Sequence, residues 1–515
     1  MEFLQNIKPR EYQQKIFETC INDNCLVVLP TGLGKTLIAI MLTIERMKKF
    51  PGQKVLLLAP TKPLIEQHYI SFKKYLPELF AEMQIFTGTI NSEKRKKIWK
   101  TADIIFSTPQ CIANDTKKEL YKMDEVCLLV EDEAHRCVKN YDYNYVAQRY
   151  KCQAENPRIL GLTASPGSTS AKIKEICRNL SIKKVELRTR KSPDVKHYLQ
   201  ELEFNKIQVE FPPELEEIRH VLTKVYERYV SELRFRKVLF GPASKYSLIK
   251  LQQKISQTLS RGLRNFNYML GASACAQAIK LQHALELLET QTVYAFHEYM
   301  KNLFEQASKK QSKGVIKLVK KPEINFAYMQ SSELLTKKQE HPKLKKIIEI
   351  IKKEYQQNQN MKIIIFTQFR DTAITISKHL NELQGIKSKI FIGQAKKKGQ
   401  GLNQKQQKEI IEEFSNGKIN ILCATCIAEE GLDIPEVNAV VFYEPVPSAI
   451  RAIQRAGRTA RLQKGKLIML ITKKTRDEAH YYVSRSREKQ MEKSIIKIQQ
   501  DLENNKKLET QKKLL

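Results

Sequence analysis

The sequence predicts an α/β protein built from two doubly wound parallel-sheet domains with an all-helical insertion domain between them. Three observations carry this expectation. Residues 1–190 alternate short apolar runs with helical patterns, and residues 341–480 repeat that alternation. The stretch 205–340 between them shows three- and four-residue apolar spacing with few strand signals. At 515 residues the chain has ample material for several cores.

In the first region the candidate strands are Cys25–Leu29, Val55–Ala59, Asp103–Ser107, Val126–Glu131 and Arg158–Leu162. They are continuous β-rich apolar runs bounded by turn residues, the pattern of strands covered on both faces. In the last region the equivalents are Lys362–Thr367, Lys389–Ile392, Asn420–Ala424, Ala439–Tyr443 and Leu467–Ile471, with helical stretches such as Thr372–Leu383 and Gln404–Phe414 between them. The insertion is read as long helices over Leu215–Phe240, Lys245–Leu263 and Ala272–Phe304, ending in a cluster of Lys309, Lys310, Lys313, Lys317, Lys320 and Lys321. That cluster suits a nucleic-acid contact or a solvated linker equally. Residues 481–515 form a polar tail, expected as a helix on the second α/β domain or as a frayed end.

Between the first strand and the helical run from Leu37 to Ile44 stands Leu29-Pro30-Thr31-Gly32-Leu33-Gly34-Lys35-Thr36. A glycine-containing loop at a helix N-terminus turns backbone N–H groups toward phosphate oxygens. Thr31, Gly32, Leu33, Gly34, Lys35 and Thr36 are the candidate nucleotide-binding residues. Lys35 is expected to reach the β/γ-phosphates and Thr36 to sit on Mg²⁺. The first glycine of the general pattern is replaced by Leu29.

About 100 residues later a strand closes on Val130-Glu131-Asp132-Glu133-Ala134-His135. Carboxylates at strand C-termini are where an open α/β sheet presents catalytic groups. Asp132 is assigned to Mg²⁺ and Glu133 to polarising the attacking water. Thr163-Ala164-Ser165 follows the next strand, and its hydroxyls, with His135, are read as coupling groups. In the last region stands Gln454-Arg455-Ala456-Gly457-Arg458-Thr459-Ala460-Arg461. Arginines three apart share one side of a helix, and a guanidinium suits a phosphoryl oxygen as charge develops. Arg458 and Arg461 are the expected fingers, with Gln454 beside them as a catalytic candidate.

The net charge is +33, from 89 Lys and Arg against 56 Asp and Glu, which favours a polyanionic partner such as nucleic acid. Ten cysteines make no disulfide framework, and Cys423-x-x-Cys426 has no second pair at zinc spacing. No apolar run approaches the ~20 residues that span a bilayer. Met1-Glu2-Phe3-Leu4-Gln5 lacks the features of a signal peptide. The expectation is a soluble cytoplasmic, nucleoid-associated protein with no membrane contact, acting as a monomer.

In combination these motifs resemble superfamily 2 helicases of the DEAH type. Further segments carry the likeness. Arg10-Glu11-Tyr12-Gln13 looks like the adenine-recognition segment, with Gln13 as its glutamine. Ala59-Pro60-Thr61-Lys62-Pro63-Leu64 and Ser107-Thr108-Pro109-Gln110 resemble the first-domain motifs that touch the nucleic-acid backbone. Phe366-Thr367-Gln368-Phe369-Arg370 and the run Ala424-Thr425 to Gly431-Leu432-Asp433 resemble the second-domain ones. The resemblance implies ATP and Mg²⁺ as cofactors and two RecA-like domains. It implies nucleic-acid contacts at Thr61, Lys62, Thr108, Gln368, Arg370 and Thr425, and a nucleotide-proximal role for Gly431 and Asp433.

A narrower likeness joins the Asp-Glu-Ala-His-Arg run, Asn140-Tyr141-Asp142-Tyr143, Leu281–Thr290, His341-Pro342-Lys343-Leu344 and Phe442–Ser448 to the archaeal Hef and Fanconi-anaemia group M helicases. It implies an ATP-dependent DNA helicase or translocase on forked or branched DNA, in repair or fork restart, with a thumb-like helical domain. No Glu-Arg-Lys-x-x-x-Asp nuclease core is found, so a separate XPF-like nuclease subunit is the expected partner. The rival readings are an RNA helicase of the Dicer or RIG-I-like type and a junction-binding scaffold that recruits a nuclease.

Overall fold

The computed structural model describes residues 3–190, 192–261, 266–393, 401–425, 428, 434–448, 451, 455–457, 459 and 464–504. The first domain holds a parallel sheet of β1 (Cys25–Val28), β2 (Lys54–Leu58), β3 (Met83–Phe86), β4 (Ile104–Ser107), β5 (Val126–Asp132), β6 (Ile159–Thr163) and β7 (Lys184–Leu187). Its order is β3-β4-β2-β5-β6-β1-β7. Successive side chains on a strand face opposite sides, and both faces are covered by helices. Cys25, Val27, Val55 and Leu57 therefore enter one apolar core, while Leu26, Val28, Leu56 and Leu58 enter the other. The five strands expected from sequence are present. The two edge strands, β3 and β7, are additional. They are half-exposed four-residue runs carrying Gln84, Lys184 and Glu186, so their apolar signal is weak.

The second sheet has the order β10-β11-β9-β12-β13-β8. Its expected members are β9 (Ile363–Phe366), β10 (Ser388–Phe391), β11 (Ile421–Ala424), β12 (Ala439–Phe442) and β13 (Gly465–Thr472). The sixth strand, β8 (Leu202–Val209), comes from the segment before the insertion. It pairs in parallel with β13 over its whole length, from Leu202 opposite Gly465 to Val209 opposite Thr472. This corrects the expected start of the helical region at 205: the first helix there runs Pro213–Phe235. β8 lies at a sheet edge with interleaved Glu203, Asn205, Lys206 and Gln208, which hid it among polar residues.

The insertion is a bundle of helices Pro213–Phe235, Lys245–Ser260, Phe266–Thr290, Val293–Ser308, Lys313–Val319 and Pro322–Thr336 around one apolar core. It meets the second domain through buried polar groups. Lys343, on helix Pro342–Gln357, is fully buried; its Nζ donates to Thr290 O at 2.6 Å and pairs with Asp477 at 2.8 Å. The same ammonium stands over the Tyr443 ring at 4.6 Å. The Gln291 amide oxygen accepts from Thr367 and Thr372, so the insertion also touches the loop after β9.

The tail is helical, as one of the two expectations had it, but its far end leaves the second domain. Residues Arg476–Glu503 form one helix that starts on the second domain. Its far end buries Met491, Ile495 and Ile498 in the core of the first domain. One apolar side chain per turn along an otherwise charged helix is a narrow stripe, easily read as a solvated tail.

Lys343 and Asp477 are both wholly buried, so removing one leaves the other uncompensated, at a cost of about 3–5 kcal/mol. Lys343→Met is expected to lower the melting temperature clearly, and the double change Lys343→Met/Asp477→Leu to recover most of the loss. Thermal unfolding of the two variants checks this; a harmless single change would contradict the junction's role.

Candidate active site

All strands of each sheet are parallel, so the loops after them open on one edge. β5, β6 and β1 are neighbours: Asp132 lies opposite Leu162, and Thr163 opposite Val28. That adjacency collects the phosphate-loop candidate after β1, the carboxylates ending β5 and the Thr163–Ser165 loop after β6. Thr61 and Thr108 follow β2 and β4, in the other half of the same edge, each as the residue before a helix. Gln368 and Thr425 follow the neighbouring strands β9 and β11 of the second sheet. The two sets of candidates therefore occupy separate parts of the molecule.

The phosphate-loop candidate is wound tightly. Gly32 and Gly34 have φ of 84° and 75°, the left-handed region that glycine enters without strain. A Cβ on Gly34 would also lie 2.4 Å from Gln13 Nε2. Gln13 is buried against the loop: its Nε2 donates to Leu33 O at 3.1 Å and Gly34 O at 3.4 Å. The Tyr12 hydroxyl donates to Leu33 O at 2.8 Å, and Arg10 stacks over Tyr198 at 4.9 Å. Lys35 and Thr36 open helix Lys35–Lys49, and Lys35 Nζ donates to Leu29 O at 3.0 Å. Thr31 Oγ1 is buried with no hydrogen-bond partner.

Across the loop, Asp132 pairs with His68 at 2.8 Å. Burial pushes its carboxyl up, but the His68 hydrogen bond and the electrostatic pull of His68 and Lys35 outweigh that and hold it below the usual range. Glu133 is a non-glycine residue at φ 53°, a conformation sparsely populated by such residues and typical of positions the surroundings over-determine. Its Oε2 lies 3.1 Å from His135 Nδ1, which stands 3.2 Å from Thr163 Oγ1. Ser165 N donates to that same oxygen at 3.1 Å. A chain of polar contacts thus runs from Glu133 through His135 and Thr163 to Ser165.

An orphaned hydroxyl at Thr31, N–H groups at a helix N-terminus, an ammonium and an ionised carboxylate fit a polyphosphate with a hard divalent cation. Among the described residues no group of three or more His, Cys, Asp or Glu could hold a metal by itself. A cation here would therefore share its shell with phosphate and water. A cleft of about 800 Å³ separates the two sheets, lined by Thr31 and Ala164 on one side and Phe442, Ala456 and Gly457 on the other.

Gln454, Arg458 and Arg461, and Gly431 and Asp433, lie outside the described residues. Arg455 is described and is fully buried, stacked over Phe366 at 4.9 Å and near Phe442 at 5.8 Å, so it belongs to the second core. Lys62 opens helix Lys62–Tyr75, which an ion pair of 2.8 Å between Glu66 and Lys408 ties to the second domain. Arg370 opens helix Arg370–Asn381 and donates to Gly393 O at 3.2 Å. His68 had no sequence signal: its role comes only from β2 lying beside β5.

Three family models match the chain: "DEAD/DEAH box helicase" over residues 10–173, "Helicase conserved C-terminal domain" over 342–463, and "Putative ATP-dependent RNA helicase, helical bundle" over 214–341. The crystal structure of the Pyrococcus furiosus Hef helicase domain is 42% identical, with a TM-score of 0.71, covering 94% of this chain and 100% of that one. A Methanocaldococcus jannaschii protein whose name also carries the RNA helicase description is 38% identical over 95% of this chain and 61% of its own length. The Neurospora crassa ATP-dependent DNA helicase mph1 is 32% identical over 91% of this chain and 41% of its own. The mouse Fanconi anemia group M protein homolog is 30% identical over 94% and 26%. The chain thus spans about a quarter to three fifths of these relatives.

Glu444 is wholly buried, and its Oε1 accepts from the Gln368 backbone N–H. Burial pushes its carboxyl up to about 7 against the pull of Lys343 and Arg455. A raised acid stabilises the fold in full below the unfolded value of 4.5, and that contribution is lost as pH rises through about 7. Glu444→Gln is therefore expected to gain melting temperature relative to the parent between about pH 5 and about pH 8. A difference that does not change with pH would contradict this assignment.

Proposed function

The chain belongs to the DEAD/DEAH-box helicases of superfamily 2, an ATP-dependent family, and from that membership we propose that it is a DNA helicase or translocase acting on forked or branched DNA, in repair or fork restart. The observation that carries the ATP reading is the convergence of Lys35, Asp132, Glu133 and Thr163 from three neighbouring strands onto one edge of the first sheet, beside the cleft that Thr31 and Ala164 line. Opposite stand Ala456 and Gly457 of the motif that holds Arg458 and Arg461.

In this reading Gln13 holds the adenine, Gly32 to Lys35 cradle the phosphates, and Thr36 and Asp132 hold Mg²⁺. The bound cation would neutralise charge on the phosphate oxygens. Glu133 orients the attacking water and takes its proton, held at its angle by the left-handed backbone and by His135. Arg458 and Arg461 stabilise the transferring phosphoryl group, and Gln454, Gly431 and Asp433 serve the same nucleotide step. Thr61, Lys62, Thr108, Gln368, Arg370 and Thr425 grip the nucleic-acid backbone, which gives hold without sequence preference. The protein works as a cytoplasmic monomer, and a nuclease subunit is the partner this reading offers.

The choice of DNA follows the DNA-helicase name of the fungal relative and the likeness to the Hef helicase domain. The RNA-helicase descriptions of the helical-bundle family model and of the methanogen protein favour the second reading, duplex RNA. ATP hydrolysis measured with forked DNA, four-way junctions and duplex RNA separates them. Forked and junction DNA are expected to stimulate most; stimulation by RNA alone would overturn the DNA assignment. Junction binding with no strand displacement or remodelling would favour a scaffold.

Three substitutions test the site itself. Lys35→Ala is expected to abolish stimulated hydrolysis, and Glu133→Gln to bind ATP without turning it over. Arg458→Ala is expected to lose on the order of 10³ in kcat with little change in ATP affinity. Loss of affinity alone would make Arg458 a ground-state binder.

A further inference from the structure

Helix Arg476–Glu503 touches all three parts of the molecule. At its start Arg476 pairs with Glu289 at 3.0 Å and donates to Gln282 Oε1 at 3.2 Å, both on the insertion. Its next residue, Asp477, holds the buried Lys343. Glu289, Thr290 and Gln291 are all buried there, so the insertion, the second domain and the start of this helix form one packed unit. Farther along, Ser484, Glu488 and Glu492 line the cleft that also holds Thr31 and Ala164. The far end leaves that unit. Met491, Ile495 and Ile498 pack among Ile176, Cys177 and Val185 of the first domain, and Lys174 lies 3.6 Å from Asp501.

At the crossing, the Ser165 hydroxyl donates to the Met491 sulfur at 2.8 Å. Ser165 is the last member of the polar chain that begins at Glu133. A straight 28-residue helix spans about 42 Å, so one rigid element reaches from the insertion to the loop beside the proposed catalytic carboxylate.

We propose that this helix is a strut that couples nucleic-acid engagement by the insertion to ATP hydrolysis, with Met491 as a positioning residue acting on Ser165. This rests on the reading of the chain as a nucleic-acid-stimulated ATPase. An insertion that tilts on binding carries the start of the helix with it. The far end is held by a narrow apolar stripe and by the partly exposed Lys174–Asp501 pair, so displacement is felt first where Met491 meets Ser165. Ser165 then resets Thr163 and His135, and through them the angle of Glu133. The thioether suits this post: it is a weak acceptor on a flexible side chain that follows small movements without losing packing.

The test uses the full chain with Met491→Leu, which keeps the apolar volume and removes the acceptor. Melting temperature, KM for ATP and affinity for forked DNA are expected to stay at the parent's values. The kcat stimulated by DNA is expected to fall about three- to tenfold. Ser165→Ala is expected to show a fall of the same kind, and the double variant no more than the larger single loss, because the two side chains act through one contact. If RNA proves the activator, the same comparison is made with duplex RNA. A parent unstimulated by any nucleic acid overturns the functional reading and this proposal together. A stimulated parent with full stimulation in Met491→Leu, or additive losses in the double variant, overturns this proposal alone.

Discussion

The adjacency of three parallel strands, β5, β6 and β1, is the constraint on which the rest depends. In a parallel sheet every loop at the C-terminal edge is set by strand order and by nothing else in the chain. Placing β6 between β5 and β1 puts a threonine hydroxyl, Thr163, between the carboxylates of one neighbour and the glycine loop of the other. The side chains then settle their own chemistry. Asp132 is held below the usual carboxylate range by His68 and Lys35 despite deep burial, and Glu133 takes a left-handed backbone conformation at φ 53°. β2 and β4 lie on the far side of β5, and their loops, with Thr61 and Thr108, are displaced toward a different part of the edge.

The second constraint is how the chain crosses between domains. It leaves the first domain to lay down β8 on the far sheet, builds the insertion, completes the second sheet with β13 beside β8, and returns along the last helix. The buried Lys343 sits where these passages meet, touching the insertion through Thr290, the last helix through Asp477 and the second core through Tyr443. A buried charge of this kind is poor value as stabilisation, since two apolar groups pack as well. Its use lies in fixing one arrangement of three elements. The insertion is thus tied to the loop after β9, where Phe369 stacks near His283 and Gln291 meets Thr367.

The core strands of both sheets were legible because burial on two faces demands continuous β-branched and aliphatic runs, as in Ile363-Ile364-Ile365-Phe366. The edge strands β3, β7 and β8 were not, because a half-exposed strand tolerates the polar residues that also mark loops. Candidate residues that follow core strands, such as Lys35, Asp132 and Thr163, could be placed at the sheet edge from their position after an apolar run. His68 and Met491 could not: each acts through a neighbour distant in sequence, and neither has a local pattern. Arg455 shows the opposite case. Its spacing matched Arg458 and Arg461, but its guanidinium packs against Phe366 and Phe442, so helical periodicity alone did not mark it as a core arginine.

Nucleotide held between the two sheets would make the cleft change width with nucleotide state. Cys152 is the exposed cysteine among the described residues and lies on the first domain; Gln359 is exposed on the second. Energy transfer between dyes on Cys152 and on a Gln359→Cys substitution measures the cleft directly. A shift in transfer is expected on adding a non-hydrolysable ATP analogue with nucleic acid, and none in Lys35→Ala. Unchanged transfer in a preparation that hydrolyses ATP would contradict it.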